Sequence, residues 1–226
     1  MGHAGMAATA VRYLRSVGSP TAAARRDDPL PQGASAPHRP GRPALRAVRA
    51  DERLPLDPAE FRRVLGHFAS GVTVIAAVDE EGPAGFACQS FSSLSLDPPL
   101  IAFMVARTST TWPRIARAGA FCVNILGADQ GELCRGFAVS ASRRPDKFAG
   151  VRHQPAPVTG SPRLADVPAW IDCTVHAVHT GGDHLVVVGR VRALGTDDLT
   201  ARSGPLLFHC GEFTTLAPPG QDRAQP

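Results

Sequence analysis

Residues 86–103 read FACQSFSSLSLDPPLIAF, with four serines at 90, 92, 93 and 95 threaded between Phe91, Leu94 and Leu96. Apolar and polar residues alternate through Ser90-Phe91-Ser92, slip at Ser92-Ser93, and resume through Leu94-Ser95-Leu96 before Asp97-Pro98-Pro99 ends the run. Period-two alternation marks a strand, and two adjacent polar residues inside it suggest a β-bulge, a feature that re-aims side chains beside binding sites. One face of such a strand would pack on a core. The other would offer hydroxyls and backbone N–H groups to a ligand with a flat polar edge and a phosphate. The plain alternative is an outer face that water solvates.

Working outward, strand signals dominate. VTVIAAV (72–78) reads as a buried strand, 84–96 and 99–106 as two more, and FCVNIL (121–126) as a fourth. IDCTVHAVHT (171–180) and HLVVVGRVRAL (184–194) are joined by Gly181-Gly182-Asp183, which is hairpin chemistry. A short last pair, PLLFH and GEFTTL, follows. Three short helices are expected. One begins with Asp57 as N-cap and Pro58 at its first position, carries Phe61, Val64, Leu65 and Phe68 on one face, and stops at Gly71. The others span about 110–118, closed by Gly119, and about 129–138. Residues 145–168 read as a Pro/Gly-rich loop. Strands follow strands without βαβ alternation, so the fold class is mainly β: a small antiparallel barrel with peripheral helices.

Charge divides the chain. Residues 1–55 hold nine arginines against four acids, whereas the remainder holds fifteen basic residues against sixteen acidic ones. The net charge of +4 therefore belongs to the Ala/Arg/Pro-rich extension, for which disorder is the expectation. The near-neutral body argues against nucleic-acid binding. No apolar run approaches the roughly 20 residues needed to cross a bilayer. The five cysteines (88, 122, 134, 173, 210) show no C-x-x-C pair, which fits reduced thiols in a cytoplasmic protein. The organisation expected is an extension over 1–55, a domain over 56–217 and a disordered tail over 218–226. His176 and His179 would face opposite sides of a strand, so no metal site is expected.

FACQSFSSLSLDPPLIAF resembles the S-F-(S/T)-S-(V/L)-S-L-D-P-P-L signature of the flavin reductase-like domain. The resemblance continues in order through STTWPRI, FCVNIL, ADQGELCRGFA, GDHLVVVGRV and PLLFHCGEF, covering about 57–216. It implies a split β-barrel of Greek-key type, usually a homodimer, that binds FMN or FAD and oxidises NADH or NADPH. Members include the reductase components of two-component flavin-dependent monooxygenases.

Carried over by resemblance, Gln89, Ser90, Phe91 and Ser92 would line the flavin ring edge and ribityl chain. Val105, Ala106 and Arg107 would lie beneath them, and Ser109, Thr110 and Thr111 would approach the phosphate at a helix N-terminus, unless one of these hydroxyls is only an N-cap. Phe137 and Ala138 would close the far side, with a core role for Phe137 as the alternative. Lys147, the only lysine, would reach the phosphate or else belong to a solvated charge cluster. His184, in the G-D-H position, is the candidate catalytic residue, near the nicotinamide. Phe213 would stack on the dinucleotide. That role is weakened because the closing segment reads Phe208-His209-Cys210-Gly211-Glu212-Phe213, where the family often has Tyr-His-x-Gly-Gly-Tyr. Gln89 also departs from the small residue or Asn expected there.

Three functions follow as expectations. The first is an NAD(P)H:flavin oxidoreductase passing reduced flavin to a separate oxygenase. The second is an electron-transfer protein that retains FMN, and the third a cofactor-free scaffold.

Overall fold

The VTVIAAV run is apolar throughout because its strand is covered on both sides. In a computed structural model describing residues 57–141, 143–197, 200 and 204–216, β2 (Thr73–Asp79) turns Ile75 and Ala77 into one core and Val74 and Ala76 into another. The whole of the expected extension over 1–55 and the whole tail over 218–226 lie outside the described residues. The described elements before and after β2 are α1 (Pro58–Leu65), β1 (Ser70–Gly71), β3 (Gly82–Cys88), β4 (Ser92–Leu96), β5 (Pro99–Ala106), α2 (Trp112–Ala118), β6 (Ala120–Ile125) and α3 (Gly131–Ala138). They continue with β7 (His153–Pro155), β8 (Pro162–Leu164), β9 (Ala169–Gly181), β10 (His184–Thr196), β11 (Leu207–His209) and β12 (Glu212–Thr214). No helix among the described residues is long and apolar enough to cross a membrane.

Seven strands form one antiparallel sheet in the order β3-β2-β6-β9-β10-β5-β4. It coils until β3, at one end, packs against β5, the strand next to the other end. Phe86 of β3 packs on Phe103 of β5, with ring centroids 6.1 Å apart, and Ser90 beyond β3 bonds to Met104 of β5. The interior is filled by Ile75, Ile101, Phe103, Phe121, Val123, Cys173 and Val187 from five strands besides β3, and Trp112 and Ile115 of α2 close it. This is the expected mainly β barrel with three short helices. A second layer, with Phe137, Phe148, Leu126, Leu164 and Leu206, covers the other side of β2 beneath α3. Buried Asn124 ties the layers together: its Nδ2 donates to the Val74 and Pro162 carbonyls, and its Oδ1 accepts from Leu164 N–H at 2.8 Å.

Several expectations shift. Asp57 does cap α1, accepting from Ala59 N–H at 3.1 Å, but the helix ends at Gly66 rather than Gly71, which lies in β1 paired with β11. The run 84–96 splits at residues 89–91 into β3 and β4. The loop over 145–168 contains the small β7–β8 hairpin. The irregularity in β4 falls between Ser93 and Ser95, and the strand is the sheet's edge. Its leucines do not pack inward: Leu94 is 54% and Leu96 95% exposed.

Candidate functional site

At the seam where β3 returns to β5, a cleft of about 860 Å3 opens beneath the C-terminal end of α3. That size suits a small-molecule site. Its walls come from residues 86–90, the end of β5 from Met104 to Ala106, residues 108–111, residues 137–141, Lys147, and Gly181 and His184 of the β9–β10 hairpin, with Phe61 of α1 at the margin. Of the residues singled out from the sequence, Gln89, Ser90, Val105, Ala106, Ser109, Thr110, Thr111, Phe137, Ala138, Lys147 and His184 meet here. Phe91, Ser92, Arg107 and Phe213 do not line it. Phe91 packs against the barrel core, and the Ser92 hydroxyl bonds to the Ser93 carbonyl at the exposed edge. Arg107 joins the hairpin turn through its N–H to the Asp183 carbonyl. Phe213 lines a smaller adjoining cavity with Phe208, Cys134 and Gln89, and the Arg135 guanidinium lies 5.1 Å from its ring centroid.

The serine row has divided duties. Ser90 Oγ both donates to the Met104 carbonyl and accepts from Met104 N–H, each at 2.9 Å, and lies 3.2 Å from Cys88 Sγ. Its side chain substitutes for a missing ladder rung between β3 and β5. Ser109 Oγ accepts from Trp112 N–H at 3.2 Å, whereas Thr111, in the N-cap position of α2, makes no side-chain cap. Phe137 is buried, with its ring 5.1 Å from that of Phe148, and serves the second core as much as the cleft wall.

Lys147 is buried too. Its Nζ donates to the carbonyls of Phe137 at 2.9 Å and Gly85 at 3.3 Å, and an ammonium has a third hydrogen to give. Burial lowers its pKa from the ordinary lysine value, and the Arg144 charge lowers it further. At the opposite rim, His184 Nδ1 lies 2.8 Å from Asp183 Oδ1, and Nε2 has no hydrogen-bond partner among the described residues. The bond to His184 holds the Asp183 carboxyl below its usual range. No carboxylate is among the described residues that line the cleft. Phe86, Ala87, Met104, Thr108, Ser140 and Gly181 also contribute, and were missed as site residues. Nothing marks them locally; only the closure of the sheet brings them together.

An apolar floor, clustered hydroxyls, a buried ammonium and no carboxylate define a site for an anionic, partly aromatic ligand. A flavin nucleotide has that chemistry, and the residues present fit it. The chain belongs to the flavin reductase like domain family, whose model matches residues 65–217. It is 47% identical over 163 residues to the reductase subunit HsaB of a flavin-dependent monooxygenase from Rhodococcus jostii, covering 72% of this chain and 80% of that one. Among solved structures, it resembles a nitrilotriacetate monooxygenase component B homologue from Mycobacterium thermoresistibile, with 48% identity, a TM-score of 0.67, and coverage of 74% of this chain and 90% of that chain. A Streptomyces globisporus NADH:FAD oxidoreductase, in complex with NAD and FAD fragments, is 31% identical with a TM-score of 0.67, covering 73% and 95% of the two chains.

Proposed function

We propose that residues 56–217 form an NAD(P)H:flavin oxidoreductase that takes up FMN or FAD and supplies the reduced flavin to a separate monooxygenase. The observation that carries this reading is a cleft whose described lining holds no carboxylate, with a buried lysine on one wall and His184 on its rim. When both ligands are bound, the redox chemistry comes from the flavin, which takes a hydride from the nicotinamide.

The chain's own residues bind and orient. Backbone groups at 89–90 and 105–106 meet the ring edge and ribityl chain. Ser109, Thr110 and Thr111 donate to the phosphate from one side, and the third Lys147 hydrogen reaches the same anion. Asp183 fixes the His184 ring by accepting from Nδ1–H, and Nε2 accepts from the N–H of the nicotinamide carboxamide. The side chains of Phe86 and Ala138 in the cleft wall exclude water from the reacting face.

The relatives named as monooxygenase components support a partner oxygenase, and the NADH:FAD oxidoreductase supports NADH as donor. Five free cysteines suit a reducing cytoplasm. The exposed apolar face of α1 suits a homodimer. A second reading, an electron carrier that retains FMN, draws on the loss of both phenols from the closing segment.

The test is steady-state NADH and NADPH oxidation by the His184→Ala variant beside the unmodified protein. A rise of about tenfold or more in KM for the nicotinamide, with flavin affinity intact, is expected for one lost hydrogen bond to a charged or polar partner. Unchanged KM and kcat would remove His184 from the site.

A further inference from the structure

On the surface beside α1, His67, His209 and Cys210 bring three ligating atoms within 4.8 Å of one another. Cys210 Sγ lies 3.6 Å from His67 Nδ1 and 3.6 Å from His209 Nε2. Around a tetrahedral zinc, bonds of about 2.3 Å to sulfur and about 2.0 Å to imidazole nitrogen set neighbouring donors about 3.5 Å apart. Both sulfur–nitrogen separations therefore match the edges of a zinc coordination shell.

The three residues come from segments far apart in sequence that the backbone holds together. β1 pairs with β11 through Ser70↔Phe208 and Gly71↔Leu207, and Cys210 N–H donates to the Gly66 carbonyl at 2.8 Å. The turn carrying the thiol is independently unusual. Cys210 and Gly211 link β11 to β12 with φ of 49° and 89°. Positive φ at both central residues is the pattern of a type I′ turn, where Asn-Gly is the usual pair. A side chain that tolerates this region poorly is kept at the one position that aims a thiol between two imidazoles, and such an outlier points to function. The other four cysteines are buried, so Cys210 is the one thiol open to solvent.

We propose that His67, His209 and Cys210 form a binding site for a zinc-class transition-metal ion, with water completing the coordination. Two imidazoles and a thiolate select zinc, cobalt or copper over magnesium or calcium. The bound ion clips the C-terminal end of α1 to the β11–β12 turn. The same hairpin presents Phe208 and Phe213 to the cavity adjoining the flavin cleft, so the clip stiffens one flank of that cleft.

The test titrates the full chain, stripped of metal and flavin, with Co2+ and then Zn2+. The proposal expects one equivalent of Co2+ to develop a thiolate-to-cobalt charge-transfer band in the near ultraviolet, which Zn2+ abolishes and Mg2+ does not. It expects Cys210→Ser to lose the band, and His67→Ala to weaken Zn2+ binding by more than about tenfold. In the unmodified chain, Zn2+ should shield Cys210 from alkylation by iodoacetamide, a readout that does not depend on any variant folding. Absence of the band, its persistence in Cys210→Ser, equal Zn2+ affinity in His67→Ala, or unshielded alkylation would each overturn the proposal.

Discussion

Replacing Lys147 with methionine would remove an ammonium that donates to the Phe137 and Gly85 carbonyls from a buried position. Each acceptor left without a partner costs about 1–3 kcal/mol, so a lower denaturant midpoint is expected. Loss of the third donor should also raise the FMN dissociation constant by about tenfold or more, read by fluorescence quenching. A variant that is only destabilised, with flavin affinity unchanged, would make the lysine structural. From sequence, this residue had two readings, a phosphate ligand or a solvated charge. The structure adds a third duty, because its partners lie 62 and 10 residues away and leave no local signature. Ser90 shows the same limit. Its place beside the cleft was legible, but its exchange of hydrogen bonds with Met104 depends on how the sheet closes.

Between elements, α2 is fastened to the β2–β3 turn by charge. Arg114 Nη2 meets Asp79 Oδ1 at 2.5 Å, its Nε meets Oδ2 at 3.1 Å, and Arg117 reaches the same carboxylate at 3.2 Å. The Arg114 bond is the main cause that holds the Asp79 pKa down at about 2, against an ordinary 3.8. Because the folded value is the lower one, the pair's contribution of about 2 kcal/mol is complete above about pH 4 and is lost as pH falls through about 2. Urea midpoints measured down that interval should fall more steeply for the unmodified chain than for Asp79→Asn; parallel slopes would contradict this. At Gly189, a Cβ would sit 2.6 Å from Phe121 Cζ and 2.9 Å from Ile101 Cδ1, both in the barrel core. Gly189→Ala should therefore cost about 1–3 kcal/mol by overpacking, and a neutral thermal melt would show that the core can give way. Periodicity found the longer strands and all three helices. It misjudged β4, whose alternating leucines imply a packed face, because an edge strand with exposed apolar residues has the same pattern as a half-buried one. It also missed β1, β7 and β8, which are too short for alternation to register.

Across the whole molecule, the apolar face of α1 is open: Phe61, Val64 and Leu65 are about half exposed and Phe68 is 81% exposed. Contiguous apolar surface of this kind marks an interaction site, and the proposed homodimer would cover it. Sedimentation should give twice the chain mass of 23.7 kDa, and Phe68→Glu should shift the protein toward monomer. A monomeric unmodified chain would assign this face to another partner. The reductase reading itself turns on turnover. The most direct measurement is the loss of reduced-nicotinamide absorbance as FMN or FAD is added stepwise to the purified protein. The account predicts NADH or NADPH oxidation that needs flavin, saturates with it, and runs for many turnovers per protein. A folded protein that binds flavin yet oxidises neither nucleotide would contradict it.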